Sequence, residues 1–296
     1  MLRNLLLIAA FFSASFFLDV AVGNADELQT DGVQTIEYAK PNGQPLMLDL
    51  YRPTASEKAN PLIVWVHGGA WRKGSRKGMP LNDFVKKGYA IASVDYRLTP
   101  VAKFPANVHD IKGAIRYLRA NAVDLNINPQ RFAIAGSSAG GHLAALVGVT
   151  GGVSELEGNV GGNTDVSSSV QAIISYYGAS NLTTILSQST PHGLSVRVPA
   201  LQLLLGDEPD RVPELARLAS PVFHVDQNDP PLLLLHGDQD PQMPINQSHE
   251  LHAAYRKRSL TCDFDVVHGA AHGGDAFFLP QRNQRVARFL IQHGIE

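Results

Sequence analysis

Apolar residues fall along this chain in two rhythms, and their alternation predicts the architecture. Short, mainly apolar runs at 61–66, 89–94 and 131–135 read as buried strands, and 170–176, 231–235 and 262–267 read as further strands. The segments 33–38 and 46–51 read as the two strands of a hairpin turned at Pro41-Asn42-Gly43. Between the runs, helical spacing takes over. Val108, Ile111, Ile115 and Leu118 share one face of a helix over 108–120, and further helices are predicted over 79–87, 141–148, 245–256 and 275–292. Two stretches break the rhythm. Residues 148–169, rich in Gly, Ser, Thr and Asn, read as a surface loop, and 181–228, with prolines at 191, 199, 209, 213 and 221, read as irregular chain. Strands alternating with helices predict an α/β protein whose mostly parallel central sheet has helices on both faces.

The first 25 residues follow a different pattern. Met1-Leu-Arg-Asn4 carries one basic residue, 5–18 is almost wholly apolar, and Ala21-Val-Gly-Asn-Ala25 offers small residues for cleavage after Gly23 or Ala25. Those features describe a secretory signal peptide over 1–25, leaving 26–296 as one domain and predicting a periplasmic or extracellular address. The apolar run is shorter than the roughly 20 residues that span a bilayer, so no stable membrane association is expected after cleavage. No cysteine follows it to carry a lipid anchor.

Composition narrows the partners. The 296 residues are 44% hydrophobic and 18% charged, enough for one large core. With 25 basic and 27 acidic residues, the formal charge is −2 and no long run has either sign, which argues against nucleic acid or an anionic membrane. Cys262 is the only cysteine, so the core stands without an intramolecular disulfide. No Cys/His spacing resembles a zinc site, and neither metal nor cofactor is expected. No subunit interface is visible in the pattern.

The chemistry centres on Gly136-Ser137-Ser138-Ala139-Gly140, a G-x-S-x-G motif between the strand 131–135 and the helix 141–148. A serine on such a sharp strand-to-helix turn holds its hydroxyl above the sheet, and the motif makes Ser138 the nucleophile and Ser137 the variable position. Acyl transfer then requires a base, a carboxylate to orient it and donors for an oxyanion, all at the carboxyl ends of strands. After the strand 231–235 come Asp238 and Asp240. Asp240, farther out on the loop, is the favoured carboxylate, and Asp238 is better placed to fix the turn. After the strand 262–267, His272 in a glycine-rich loop is the candidate base, and His268 suits a half-buried structural role. After the strand 61–66, His67-Gly-Gly-Ala-Trp71 supplies free backbone N–H groups, with Ala139 N–H opening a helix beside the nucleophile. The order Ser138, Asp240, His272 is that of the α/β-hydrolases. Other polar residues read as structural: His109 and His142 as packing or capping groups, His249 and His252 as a solvated helix face. Asp110 with Asp95-Tyr-Arg97 reads as an ion pair. Tyr176 and Tyr177 read as core, with a place in a substrate wall as the alternative.

His67-Gly-Gly-Ala-Trp71, Asp95-Tyr-Arg-Leu98, Gly136-Ser-Ser-Ala-Gly-Gly-His-Leu-Ala144 and His236-Gly-Asp-Gln-Asp240 together resemble the α/β-hydrolase esterases near hormone-sensitive lipase. The resemblance is strongest to the branch of bifunctional acetyl-xylan and feruloyl esterases. It implies the α/β-hydrolase fold, carboxylic-ester hydrolysis and a triad of Ser138, Asp240 and His272. The oxyanion donors it implies are Gly69 and Ala70, with Gly68 as a further candidate. Ala70 and Ser137 replace the Gly and Asp of lipase-like members. The N-terminal helical cap of those relatives also has no counterpart, since strands begin by Val33. A small lid is therefore expected from 181–217, leaving an open site suited to short-acyl or carbohydrate-linked esters. Two readings stay open beside it: a peptidase or amidase of the prolyl-oligopeptidase type, and a non-catalytic binding protein on a hydrolase scaffold.

Overall fold

The apolar runs assemble into one sheet. In chain order its strands are β1 (Thr30–Ala39), β2 (Leu46–Pro53), β3 (Asn60–Val66), β4 (Ala90–Val94), β5 (Ile127–Ser137), β6 (Ala172–Tyr176), β7 (Leu232–Gly237) and β8 (Cys262–Val267). Their spatial order is β1-β2-β4-β3-β5-β6-β7-β8. Strand β2 alone runs against the others, pairing antiparallel with β1 and β4, and from β4 to β8 every neighbour is parallel. The structure, a computed structural model, describes residues 30–54 and 58–296. The expected signal peptide falls outside the described residues.

Burial on both faces explains why the central strands are apolar without interruption. Leu62, Val64 and Val66 of β3, Phe132 and Ile134 of β5, and Leu232 and Leu234 of β7 point into one core. Their alternates Ile63 and Trp65, Ala133 and Ala135, and Leu233 and Leu235 point into a second. The first core is covered by helices α2 (Ala106–Ala120) and α3 (Ala139–Gly148), the second by α1 (Asn82–Lys86). Each fully buried Val, Leu or Ile contributes about 2 kcal/mol of transfer free energy.

Four departures from the sequence expectations have local causes. Helix α1 is shorter than 79–87, because Pro80 disfavours helical backbone at Met79 and the helix begins only at Asn82. The loop 148–169 is held down rather than free. It contains α4 (Ser154–Glu157), buries Leu156, and sets Glu157 on the buried cations of α2: Lys112 Nζ lies 2.7 Å from its Oε1 and Arg116 Nη1 3.4 Å from its Oε2.

The stretch 181–228 is largely helical. It forms α5 (Ile185–Gln188), α6 (Pro191–Leu205), α7 (Pro213–Leu218) and a 3-10 turn at Pro221–Phe223. Its prolines begin elements more often than they break them. Pro191 occupies the first turn of α6 behind Thr190, whose hydroxyl accepts from the Gly193 N–H at 3.0 Å, and Pro213 likewise opens α7. Leu201 and Leu204 of α6 are fully buried in the first core, tying the segment to the sheet.

Helix α8 (Asn246–Lys257) follows β7 and adds Leu251 and Tyr255 to the first core. The predicted closing helix over 275–292 is divided into a 3-10 turn at Asp275–Phe277 and α9 (Pro280–Gln292), because Leu279 stays extended before its proline. Val286, Phe289 and Leu290 of α9 pack into the second core. Half-buried at the start of β8, Cys262 has its thiol pushed up to about 12 by burial, which leaves it an unreactive packing group. The expected ion pair of Asp110 forms with Arg97 at 2.7 Å, and Asp95 pairs instead with Arg76.

Candidate active site

The loops after β3, β5, β7 and β8 meet at the carboxyl edge of the sheet, and the candidate residues meet there with them. Ser138 sits between β5 and α3 at φ 55°, ψ −118°, a left-handed conformation that costs a serine roughly 1–3 kcal/mol. Two close approaches maintain it. A Cβ on Gly136 would lie 2.3 Å from the Gly140 carbonyl oxygen, and one on Gly140 would lie 2.1 Å from that of Val66. The Ser138 N–H donates to the Tyr176 carbonyl at 2.9 Å, locking the turn to β6.

Ser138 Oγ lies 2.8 Å from His272 Nε2, and His272 Nδ1 lies 2.6 Å from Asp240 Oδ2. The carboxylate can only accept, so Nδ1 carries the proton and Nε2 faces the serine as an acceptor. The side chain of Asp240 is fully buried. Its Oδ1 accepts the backbone N–H groups of Gln242 and Met243, each at 2.8 Å. Burial alone would raise its pKa. Donors from His236, His272 and the Met243 amide outweigh this and hold the carboxyl well below the usual range. His236 directs its Nε2 chiefly at the Met243 carbonyl, 3.0 Å away, and stands 3.5 Å from Asp240.

The rival pair lies apart from this chain of bonds. Asp238 accepts from the Gly269 N–H and pairs with His268 Nδ1, both at 2.8 Å. His268 is not half-buried as expected: its side chain is 84% exposed, because Gly269 turns the loop outward just beyond β8.

A cavity of about 410 Å³ opens over Ser138 and His272. Gly68, Gly69 and Ala70 line it, and no protein acceptor takes the N–H of any of the three among the described residues. Gly69, Ala70 and Trp71 all have positive φ (117°, 52° and 59°), so the loop turns back on itself directly after β3. Ala139 is not among the residues that line the cavity; it is fully buried as the first residue of α3, where its N–H precedes the first intrahelical bond. Tyr177 belongs to the cavity rather than to the core alone. Its ring meets His272 edge-on at 4.9 Å, and it lines the cavity together with Ser137. The sequence reading missed Arg72, Lys73, Val196, Arg197 and Gln242, which also line it. A lone arginine in the apolar run Val196-Arg197-Val198 was the available signal.

His142 joins three parts of the site. Trp71 Nε1–H donates to its Nδ1 at 3.1 Å, so the proton sits on Nε2, 2.7 Å from the Ala219 carbonyl. Burial, opposed only partly by that last bond, lowers its pKa to about 4. An unfolded histidine takes a proton near 6.5, whereas this one refuses it until about 4. Between those values the unfolded chain binds more protons, so stability falls as pH falls through the window, by on the order of 3 kcal/mol. Thermal midpoints measured from pH 7 to pH 4 are expected to drop less in His142→Gln than in the wild type. Parallel drops would contradict this account.

A mostly parallel sheet with a strained serine at its carboxyl edge, facing a histidine and a buried aspartate, defines an α/β hydrolase. The chain belongs to the BD-FAE family, whose sequence profile matches residues 48–255. It is 33% identical to esterase LipC of Mycobacterium tuberculosis over 77% of its own length and 57% of the relative's. It thus spans little more than half of the curated relatives it matches. Among solved structures, a truncated carbohydrate esterase from gut microbiota superposes with a TM-score of 0.81 at 30% identity, covering 91% of this chain and 99% of the other. Esterase 2 of Thermogutta terrifontis, phosphonylated by sarin, superposes at 0.75 with 26% identity, covering 91% and 97%. Another structure of that esterase holds propionate.

Proposed function

We propose that this chain is an exported serine carboxylesterase acting on short-acyl or carbohydrate-linked esters. The observation that carries the reading is the continuous hydrogen-bonded line from Ser138 Oγ through His272 to buried Asp240, opening on a cavity. His272 Nε2 takes the Ser138 proton as Oγ attacks the ester carbonyl carbon. The carbonyl oxygen becomes an oxyanion, received by N–H groups of Gly69 and Ala70, with Gly68 beside them, and of Ala139 at the start of α3. Collapse expels the alcohol, which leaves with the proton from His272. Water, deprotonated by the same nitrogen, then cleaves the acyl-enzyme.

The neighbours support the chemistry and the substrate class. The Thermogutta esterase is phosphonylated by sarin and holds propionate in another structure, and the gut enzyme is a carbohydrate esterase. Export rests on the apolar run near the N-terminus. A fluorophosphonate probe is expected to label the protein covalently at Ser138 and to leave Ser138→Ala unlabelled. Absence of labelling in the wild type, or its persistence in the variant, would refute the reading. Comparing p-nitrophenyl esters with the matching p-nitroanilides separates it from a peptidase.

A further inference from the structure

Three basic side chains, Arg72, Lys73 and Arg197, line the cavity beside Ser138 and His272, and among the described residues no acidic side chain lines it. Arg72 and Lys73 are exposed, and among the described residues no carboxylate pairs with either. Arg197 differs from them in being 1% exposed. It comes from α6, gives its Nε–H to the Gln242 carbonyl at 3.3 Å, and has no acceptor for Nη1.

Asp240 does not supply that acceptor. Asp240 attracts the guanidinium through space, but its Oδ1 is committed to the Gln242 and Met243 amides and its Oδ2 to His272. Burial lowers the arginine to about 10, which still leaves it charged at neutral pH. A buried cation with an unmet N–H is costly unless an anion completes it. A neutral ester could offer the N–H an oxygen but would leave the buried charge uncompensated, and a cationic one would add repulsion.

We infer that the cavity takes esters bearing a second, ionised carboxyl group, with Arg197 holding that carboxylate and Arg72 and Lys73 drawing it in. The inference rests on the serine-esterase reading and narrows its substrates to acidic esters. The carboxylate can belong to the acyl part, as in a half-ester of a dicarboxylic acid, or to the alcohol part, as in an acidic sugar. Guanidinium–carboxylate geometry serves either.

Two matched pairs of esters test it, each rate being divided by that of hydroxide-catalysed hydrolysis. Mono-p-nitrophenyl succinate against p-nitrophenyl butyrate puts the charge on the acyl side. p-Acetoxybenzoate against its methyl ester puts it on the alcohol side. The wild type is expected to prefer the charged member of one pair by at least about tenfold in kcat/KM. That preference should shrink several-fold in roughly 0.5 M NaCl. Arg197→Gln should reduce the charged ester at least about tenfold more than its neutral mate, with Arg197→Lys recovering part of the difference. Replacing Arg72 and Lys73 by glutamine should raise KM mainly for the charged ester.

No charge preference in either pair would overturn the inference, and the wild-type comparison stands even if an Arg197 variant misfolds. Equal losses on both members in Arg197→Gln would also overturn it, leaving Arg197 as a strut for the Gln242 loop. Failure of Ser138-dependent turnover on every ester would instead sink the esterase reading itself.

Discussion

Replacing Ser138 by alanine is expected to lower kcat for a short p-nitrophenyl ester by at least roughly 10³-fold. The substitution removes one oxygen and leaves the turn intact, because the glycines at 136 and 140 and the Ser138 N–H bond to Tyr176 maintain the backbone. The lost oxygen bonds to substrate only as the reaction proceeds, so the deficit should fall on kcat far more than on KM. Ser137→Ala is the internal control. Ser137 also lines the cavity, but the imidazole of His272 bonds to Ser138 and not to it, so this variant should retain most of its turnover. Near-normal turnover in Ser138→Ala, or an equal loss in Ser137→Ala, would assign the nucleophile elsewhere.

How much of this was legible in the sequence depended on how far apart the interacting residues lie. The central stretches of β3, β5 and β7, 62–66, 132–135 and 232–235, were legible because burial on both faces leaves no polar position in them, as Leu232 to Leu235 illustrate. The candidate site was legible for a related reason: each member follows a strand, and strand ends are marked by where the apolar run stops. The α6 region was misread although its signals were local. Thr190-Pro191 and Gly206 are a helix start and stop, but proline density suggested broken chain. The anchoring of 148–169 was beyond sequence reasoning. It depends on Glu157 reaching Lys112, 45 positions away, and a carboxylate in a polar loop carries no mark of a buried cation waiting for it. Arg197 was hidden by the same misreading that hid its helix, whereas Tyr177, one residue past a strand of core side chains, reads as core with the substrate wall only as its alternative.

The loop from Gly68 to Trp71 shows how fold and site are linked. Ala70 and Trp71 hold positive φ at a cost, and the compensating contacts are remote in sequence. Trp71 is fully buried and its indole N–H is satisfied only by His142, four residues after Ser138 on α3. The loop that lines one wall of the cavity is therefore pinned to the helix that follows the candidate nucleophile. Their relative position is set by one buried, neutral histidine.

Asp240→Asn is expected to lower kcat by about 10⁴-fold, and Asp238→Asn to leave most activity in place. The argument for the first is geometric. Oδ1 of Asp240 accepts two backbone N–H groups, from Gln242 and Met243, so an asparagine must keep its carbonyl oxygen there. Its amide NH2 is then forced to the Oδ2 position, 2.6 Å from His272 Nδ1. Two donors cannot face each other at that distance. The imidazole answers by moving its proton to Nε2, where it points at Ser138 Oγ and can no longer accept the serine proton. Packing and backbone bonds survive, so the thermal midpoint should change far less than turnover does. Asp238 has no such lever, because its partner His268 is exposed and touches neither Ser138 nor His272. A larger loss in Asp238→Asn than in Asp240→Asn would transfer the orienting role to Asp238.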